Sequence, residues 1–100
     1  MKPETKIQNK IIGYIKKIPD LQYERRQAGG FNYKSGEPDL WFVYRGRHVE
    51  VEVKAPGGIP TGLQLLREEE YLRAGALYWR DDNFRSFVNF FEKAFPFDSK

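Results

Sequence analysis

Apolar residues recur at helical spacing from the start of the chain, at Ile7, Ile11, Ile15 and Ile18, with Ile12 and Tyr14 beside them. This predicts a helix over residues 4–18, entered at Pro3 and stopped by Pro19-Asp20. Leu21, Tyr23 and Arg25 then alternate as a short strand, followed by a glycine-rich loop from Gln27 to Glu37. Over residues 38–54 the period becomes two, and two β-branched and aromatic runs flank Arg45-Gly46-Arg47, the pattern of a β-hairpin. With Arg45 and Gly46 as the central turn residues, Tyr44 pairs with Arg47 and Asp39 falls opposite Glu52. A three-residue turn would shift that pairing by one. Leu40, Phe42 and Tyr44 then share an apolar face with Val49, Val51 and Val53, while Asp39, Trp41, Val43, His48, Glu50, Glu52 and Lys54 share the other.

A breaker cluster, Ala55 to Gly62, leads into a helix predicted over 62–74. Leu65, Leu66 and Leu72, with Leu63, are expected on its buried side, and Arg67 and Glu68 to Glu70 on its solvated side. Thr61 and Gln64 have the spacing of a capping box. Gly75 ends this helix, residues 76–80 read as a buried strand, and Asp81-Asp82-Asn83 offers caps for a last helix. Phe84, Phe87, Val88, Phe91 and Phe95 follow its apolar face, heavily enough that the excess over core needs is expected to make a dimer contact. The order α-β-β-β-α-β-α implies one α/β domain over residues 1–100, a small mixed sheet flanked by helices. The segment from Glu52 to strand 76–80 suits a right-handed crossover and a parallel strand pair.

Composition narrows the chemistry. The chain has no cysteine, which excludes disulfides, Cys-ligated zinc and thiol catalysis, and one histidine, which excludes His-rich metal sites. No apolar run approaches the roughly 20 residues of a membrane span, and the opening residues lack the apolar core of a signal peptide. A cytoplasmic location is the expectation. Net charge is +3, a mild excess; residues 25–47 hold Arg25, Arg26, Lys34, Arg45 and Arg47, while Glu68 to Glu70, Asp81 and Asp82 lie later, an asymmetry that suggests a phosphate-facing side and an opposite, acidic one. These five basic residues are the candidate nucleic-acid contacts, on that phosphate-facing side. Phe31 and Tyr33, interleaved with them, suit stacking on unpaired bases, or else fold back into the core.

Candidate chemistry gathers at the hairpin end far from the turn, where Asp39, Glu52 and Lys54 converge. Two carboxylates about 5 Å apart repel by about 3 kcal/mol at an effective dielectric near 20. Lys54 alone is one charge against two, and a hard divalent cation, Mg²⁺ or Mn²⁺, suits the oxygen donors. Lys54 would then hold or activate water, or stabilise charge on a phosphate. The plain alternative is a solvated hairpin face, but two motif halves meeting at one end favour a site. Glu4 extends the apolar stripe of the first helix and either meets the helix dipole or points into this site. Glu50 is expected to pair with Arg47 or another basic neighbour, and His48 to be a strand-surface residue near the turn.

Gly36-Glu37-Pro38-Asp39-Leu40, Val51-Glu52-Val53-Lys54-Ala55, Gly57-Gly58 and Gln64 together resemble the PD-(D/E)xK nuclease superfamily. Within it the chain is similar to the VRR-NUC domain in its small stand-alone, phage-type form, over about residues 3–91. The resemblance implies a restriction-endonuclease-like core and metal-dependent hydrolysis of DNA phosphodiesters, endonucleolytic in kind. It implies Asp39, Glu52 and the Val53 carbonyl as ligands of Mg²⁺ or Mn²⁺, with Glu4 completing the shell. Lys54 acts on water and Gln64 supports it. It further implies a homodimer acting on four-way junctions (Holliday junctions) or other branched DNA, in the host bacterial cytoplasm if phage-encoded. A non-catalytic DNA-binding module and a partner-dependent nuclease subunit are the competing readings.

Overall fold

The computed structural model describes residues 1–27 and 34–96. Along them run α1 (Pro3–Ile15), β1 (Gln22–Arg25), β2 (Leu40–Tyr44), β3 (Arg47–Val53), α2 (Gly62–Arg73), β4 (Leu77–Asp81) and α3 (Phe84–Ala94). The strands form one sheet in the order β1-β2-β3-β4, antiparallel for the first two pairings and parallel for β3 with β4. Arg45 and Gly46 both take positive φ, 51° and 75°, as a two-residue type I′ turn requires. Tyr44 accordingly pairs with Arg47, and the register brings Asp39 to the end of β3 beside Glu52. α1 stops three residues short of its predicted end, where Ile18 N–H bonds the Ile15 carbonyl and Asp20 turns left-handed at φ 65°.

One face of the sheet is the core. Leu40, Phe42, Val49, Val51 and Trp79 pack there against Ile11 and Ile15 of α1 and Phe87 and Phe91 of α3. The aromatic stripe of α3 is consumed by this core: Phe91 and Phe95 sit on Phe42 and Tyr44, and Tyr14 meets Phe84, Phe87 and Phe91 edge-on. The surplus expected on α3 as a dimer contact is therefore not there.

It lies on α2, whose docking face is the reverse of the predicted one. No residue of α2 is buried, and Leu63, Leu65, Leu66 and Leu72 are 45–50% exposed. Arg67 and Glu68, expected in solvent, turn inward instead, with Gln64 and Tyr71. Glu68 receives Arg80 at 2.6 Å, Tyr71 donates to Glu37 at 2.6 Å, and Arg67 donates to the Ser35 carbonyl at 3.1 Å. The cause is the sheet beneath. Glu50 and Glu52 of β3 lie beside Tyr78 and Arg80 of β4 in the parallel register, so this sheet face is polar and selects a polar helix face.

Two glycines play contrasting parts. Gly36, at φ 83°, passes so close under α2 that a Cβ would come within 2.7 Å of the Leu63 backbone, and this approach delivers the Pro38-Asp39 segment to the sheet. Gly13 lies inside α1 without a positive φ, and a Cβ there would meet nothing within 4 Å among the described residues. Relative to alanine it weakens the helix by about 0.5–1 kcal/mol, with no packing in return.

Candidate active site

Asp39 stands at the mouth of β2 behind a buried Pro38, and its Oδ2 accepts the Val53 N–H at 2.7 Å. The side chain thereby ties the start of β2 to the end of β3. Glu52 is 3% exposed beneath α2. Lys54 leaves the strand with its N–H on the Asp81 carbonyl at 3.0 Å, and its Nζ lies 4.0 Å from Glu52 Oε2.

Gln64 joins these groups. Its Oε1 accepts from Lys54 Nζ at 2.9 Å and from the Thr61 N–H at 2.9 Å, while its Nε2 donates to Glu52 Oε2 at 2.9 Å. The Thr61 hydroxyl accepts the Gln64 N–H in return, completing the capping box of α2. One amide thus both caps α2 and bonds Lys54 and Glu52.

Electrostatically the carboxylates are under tension. Burial first, then the Asp39 charge, pushes the Glu52 carboxyl up to about 7, against the pull of Lys54 and Arg80. Burial also raises Asp39, opposed by the Val53 N–H and Lys54. Among the described residues, Glu52 Oε1 is buried without a hydrogen-bond partner. An orphaned carboxylate oxygen beside a second carboxylate, with the Val53 carbonyl adjacent in the chain, fits an oxygen-seeking divalent cation. Glu4 is half-buried and its charge is felt at Asp39, but among the described residues no three acidic or histidine side chains gather around one point.

The predicted phosphate-facing side divides. Arg25 is exposed, its charge reaches Asp39, and it donates to Asn9 at 2.7 Å. Lys34, Arg45 and Arg47 are exposed as well, but Arg45 and Arg47 lie at the hairpin turn, roughly 20 Å from Asp39 at about 3.3 Å per strand residue. Arg26 is no free contact. It grips the fully buried Glu50 with two bonds, 2.5 and 3.0 Å, and also donates to Tyr71 and the Pro38 carbonyl. Glu50 therefore pairs with Arg26 and with His48, 2.5 Å away, rather than with Arg47. His48 is not simply a surface residue, for its ring stacks between Trp41 and Tyr71. Phe31 and Tyr33, read as base-stacking residues, lie outside the described residues.

Sequence reasoning missed Arg80 and Tyr78. Both face Glu52 and Glu50, and Arg80 Nε and the Tyr78 hydroxyl, like Glu52 Oε1, are buried without partners among the described residues. Their alternation with Leu77 and Trp79 was a visible signal, but only the parallel register says what they face.

A scan against family models finds no match, and neither does a search of curated proteins. Comparison with solved structures finds a VRR_NUC domain, similar at TM-score 0.75 and 23% identity over 95% of this chain and 99% of that one. Strand order, crossover helix and flanking helices thus give this chain the fold of a VRR-NUC domain, a restriction-endonuclease-like α/β core.

Proposed function

We propose that this protein is a divalent-metal-dependent nuclease that hydrolyses DNA phosphodiester bonds. The observation that carries the reading is the convergence of Asp39, Glu52, Lys54 and Gln64, hydrogen-bonded to one another or to adjoining backbone, at one sheet end. Asp39, Glu52 and the Val53 carbonyl would hold Mg²⁺ or Mn²⁺, with Glu4 the candidate to complete the shell. Such an ion supplies Lewis acidity and lowers the pKa of bound water. The chain's own part is orientation. Gln64 fixes Lys54 Nζ beside the carboxylates, where its ammonium holds a water or meets charge developing on the phosphate. The same amide holds Glu52 Oε2, leaving Oε1 free to ligate.

Endonucleolytic action on branched DNA by a homodimer is the finer reading. Four half-exposed leucines on α2 support association, because a two-fold pairing of α2 with its copy would cover them. Two sites related by a two-fold axis suit paired nicks in a four-way junction. The test is cleavage of matched four-way-junction, flap, duplex and single-stranded DNA with Mg²⁺, Mn²⁺ or EDTA, beside Asp39→Asn. Metal-dependent cutting lost in the variant is expected. Tight binding without cutting would point to a DNA-binding module instead, and neither binding nor cutting to a subunit that needs a partner.

A further inference from the structure

The net charge is concentrated at one end of the fold. Residues 1–18 hold five lysines against one acid, a charge of +4, more than the +3 of the whole chain. Lys6, Lys10 and Lys17 stand at i, i+4 and i+11 on α1 and its C-terminal extension, with Gly13 in the i+7 place. All three lysines are exposed, and Ile11 and Ile15 bury the opposite side of the helix.

Two concavities meet at Gly13. One, of about 410 Å³, runs between α1 and the edge strand β1 and includes Asn9, Lys16, Tyr23 and Arg25. The other, of about 470 Å³, opens toward the start of α3 and includes Lys10, Tyr14, Lys17 and Phe84. Gly13 and Lys16 belong to both. The missing side chain at residue 13, which neither packing nor backbone conformation requires, leaves room for a ligand to approach the helix backbone.

The line also has a direction. Arg25, bonded to Asn9 on the helix surface, pairs with Leu40 in the β1–β2 register, and the next residue along, Arg26, donates its N–H to the Asp39 carbonyl at 2.8 Å, so the line runs toward Asp39. From Lys6 to Lys17 the line extends about 16 Å at about 1.5 Å per residue. One DNA strand presents a phosphate per 3.4 Å of axis, so this reach spans roughly five phosphates.

We propose that the lysine line of α1, with Arg25, is a phosphate track that holds a duplex arm of DNA and leads it to the Asp39 site. The proposal rests on the nuclease reading only for what happens at the end of the track. Exposed lysines in a row, a glycine gap between them and a groove on each side match a regular polyanion. They also place the main basic contact on α1 rather than on the hairpin.

The test is fluorescence anisotropy of a labelled duplex and a labelled four-way junction in EDTA, across a salt series. Wild type is compared with the Lys6→Gln/Lys10→Gln/Lys17→Gln variant, with Gly13→Gln, and with Arg45→Gln/Arg47→Gln at the hairpin turn. Each lost phosphate contact lowers the salt slope by about 0.9, so the lysine variant is expected to lose between 2 and 3 from it, roughly. Its affinity at moderate salt should fall about 10- to 100-fold. Gly13→Gln should weaken binding several-fold with the slope nearly unchanged, and the turn variant should bind like wild type. Unchanged affinity and slope in the lysine variant overturn the track, as does a wild type that binds no DNA. Lysine-dependent binding without cleavage in Mg²⁺ or Mn²⁺ would overturn the nuclease reading and leave the track standing.

Discussion

Replacing Glu52 by glutamine should stabilise the metal-free protein while destroying the proposed nuclease activity. The Glu52 carboxyl is pushed up from 4.5 to about 7, chiefly by burial and then by Asp39. Between those values the folded chain binds more protons than the unfolded chain, so this group's contribution falls as pH rises through the window. It is fully favourable below about 4.5 and fully lost above about 7. At about 1.4 kcal/mol per unit, keeping Glu52 ionised in the fold costs about 3 kcal/mol at pH 8. Glutamine mimics the protonated form and avoids most of that, but disturbs the bond from Gln64, so a gain of about 1–3 kcal/mol is expected. For a domain of this size that is roughly 5–15 °C in Tm. The assay is thermal unfolding of both proteins in EDTA at pH 4.5 and pH 8, then with Mn²⁺ at pH 8. The variant should melt higher at pH 8, level at pH 4.5, and fail to gain from Mn²⁺ what wild type gains by binding it. A variant that melts no higher than wild type at pH 8 in EDTA would refute the reasoning.

Three further outcomes are expected. Arg26→Met leaves the buried Glu50 carboxylate without its bidentate partner and should cost about 3 kcal/mol in urea unfolding; weaker DNA binding with unchanged stability would return Arg26 to the role of a surface contact. Gln64→Ala keeps the Thr61 hydroxyl on the helix but loses the side-chain half of the capping box, and should lose about 1 kcal/mol and at least about tenfold in cleavage. Gln64→Glu keeps an acceptor for Thr61 but turns a carboxylate oxygen toward Glu52, so it should stay inactive, and full activity would reduce Gln64 to a helix cap. Leu66→Glu with Leu72→Glu should sediment as a folded monomer where wild type sediments as a dimer, and a monomeric wild type would discard the α2 contact.

The hairpin was legible because its information is local. Two alternating runs with Arg45 and Gly46 as a two-residue turn give one of the two registers open to the sequence, and the structure adopts it. The stripe of α3 was legible for the same reason, although only the fold shows that Tyr14, Phe42 and Tyr44 absorb it. α2 misled because amphipathicity separates two faces without saying which one docks. That choice belongs to Glu50, Glu52, Tyr78 and Arg80, which meet only after β3 and β4 pair in parallel across the intervening helix. Arg26 misled similarly, since its partner Glu50 is 24 residues away and nothing local marks it as buried. That Asp39, Glu52 and Lys54 meet at one hairpin end was readable from the strand pattern, whereas the two sets of bonds that Gln64 makes needed the geometry of the cap.

The polar underside of α2 has a consequence for how the site is kept assembled. A helix with no buried residue exposes little apolar surface when it lifts away, so its opening lies well below global unfolding on the free-energy scale. Yet Lys54 and Glu52 are both held through Gln64 in its first turn. Heat should therefore undo the Lys54–Gln64–Glu52 contacts while the sheet, α1 and α3 are still intact, with the α2 amides exchanging early. Anything that clamps the leucine face, a second copy above all, raises the cost of that opening. Specific activity per chain would then climb with protein concentration, because association holds the helix that holds the site.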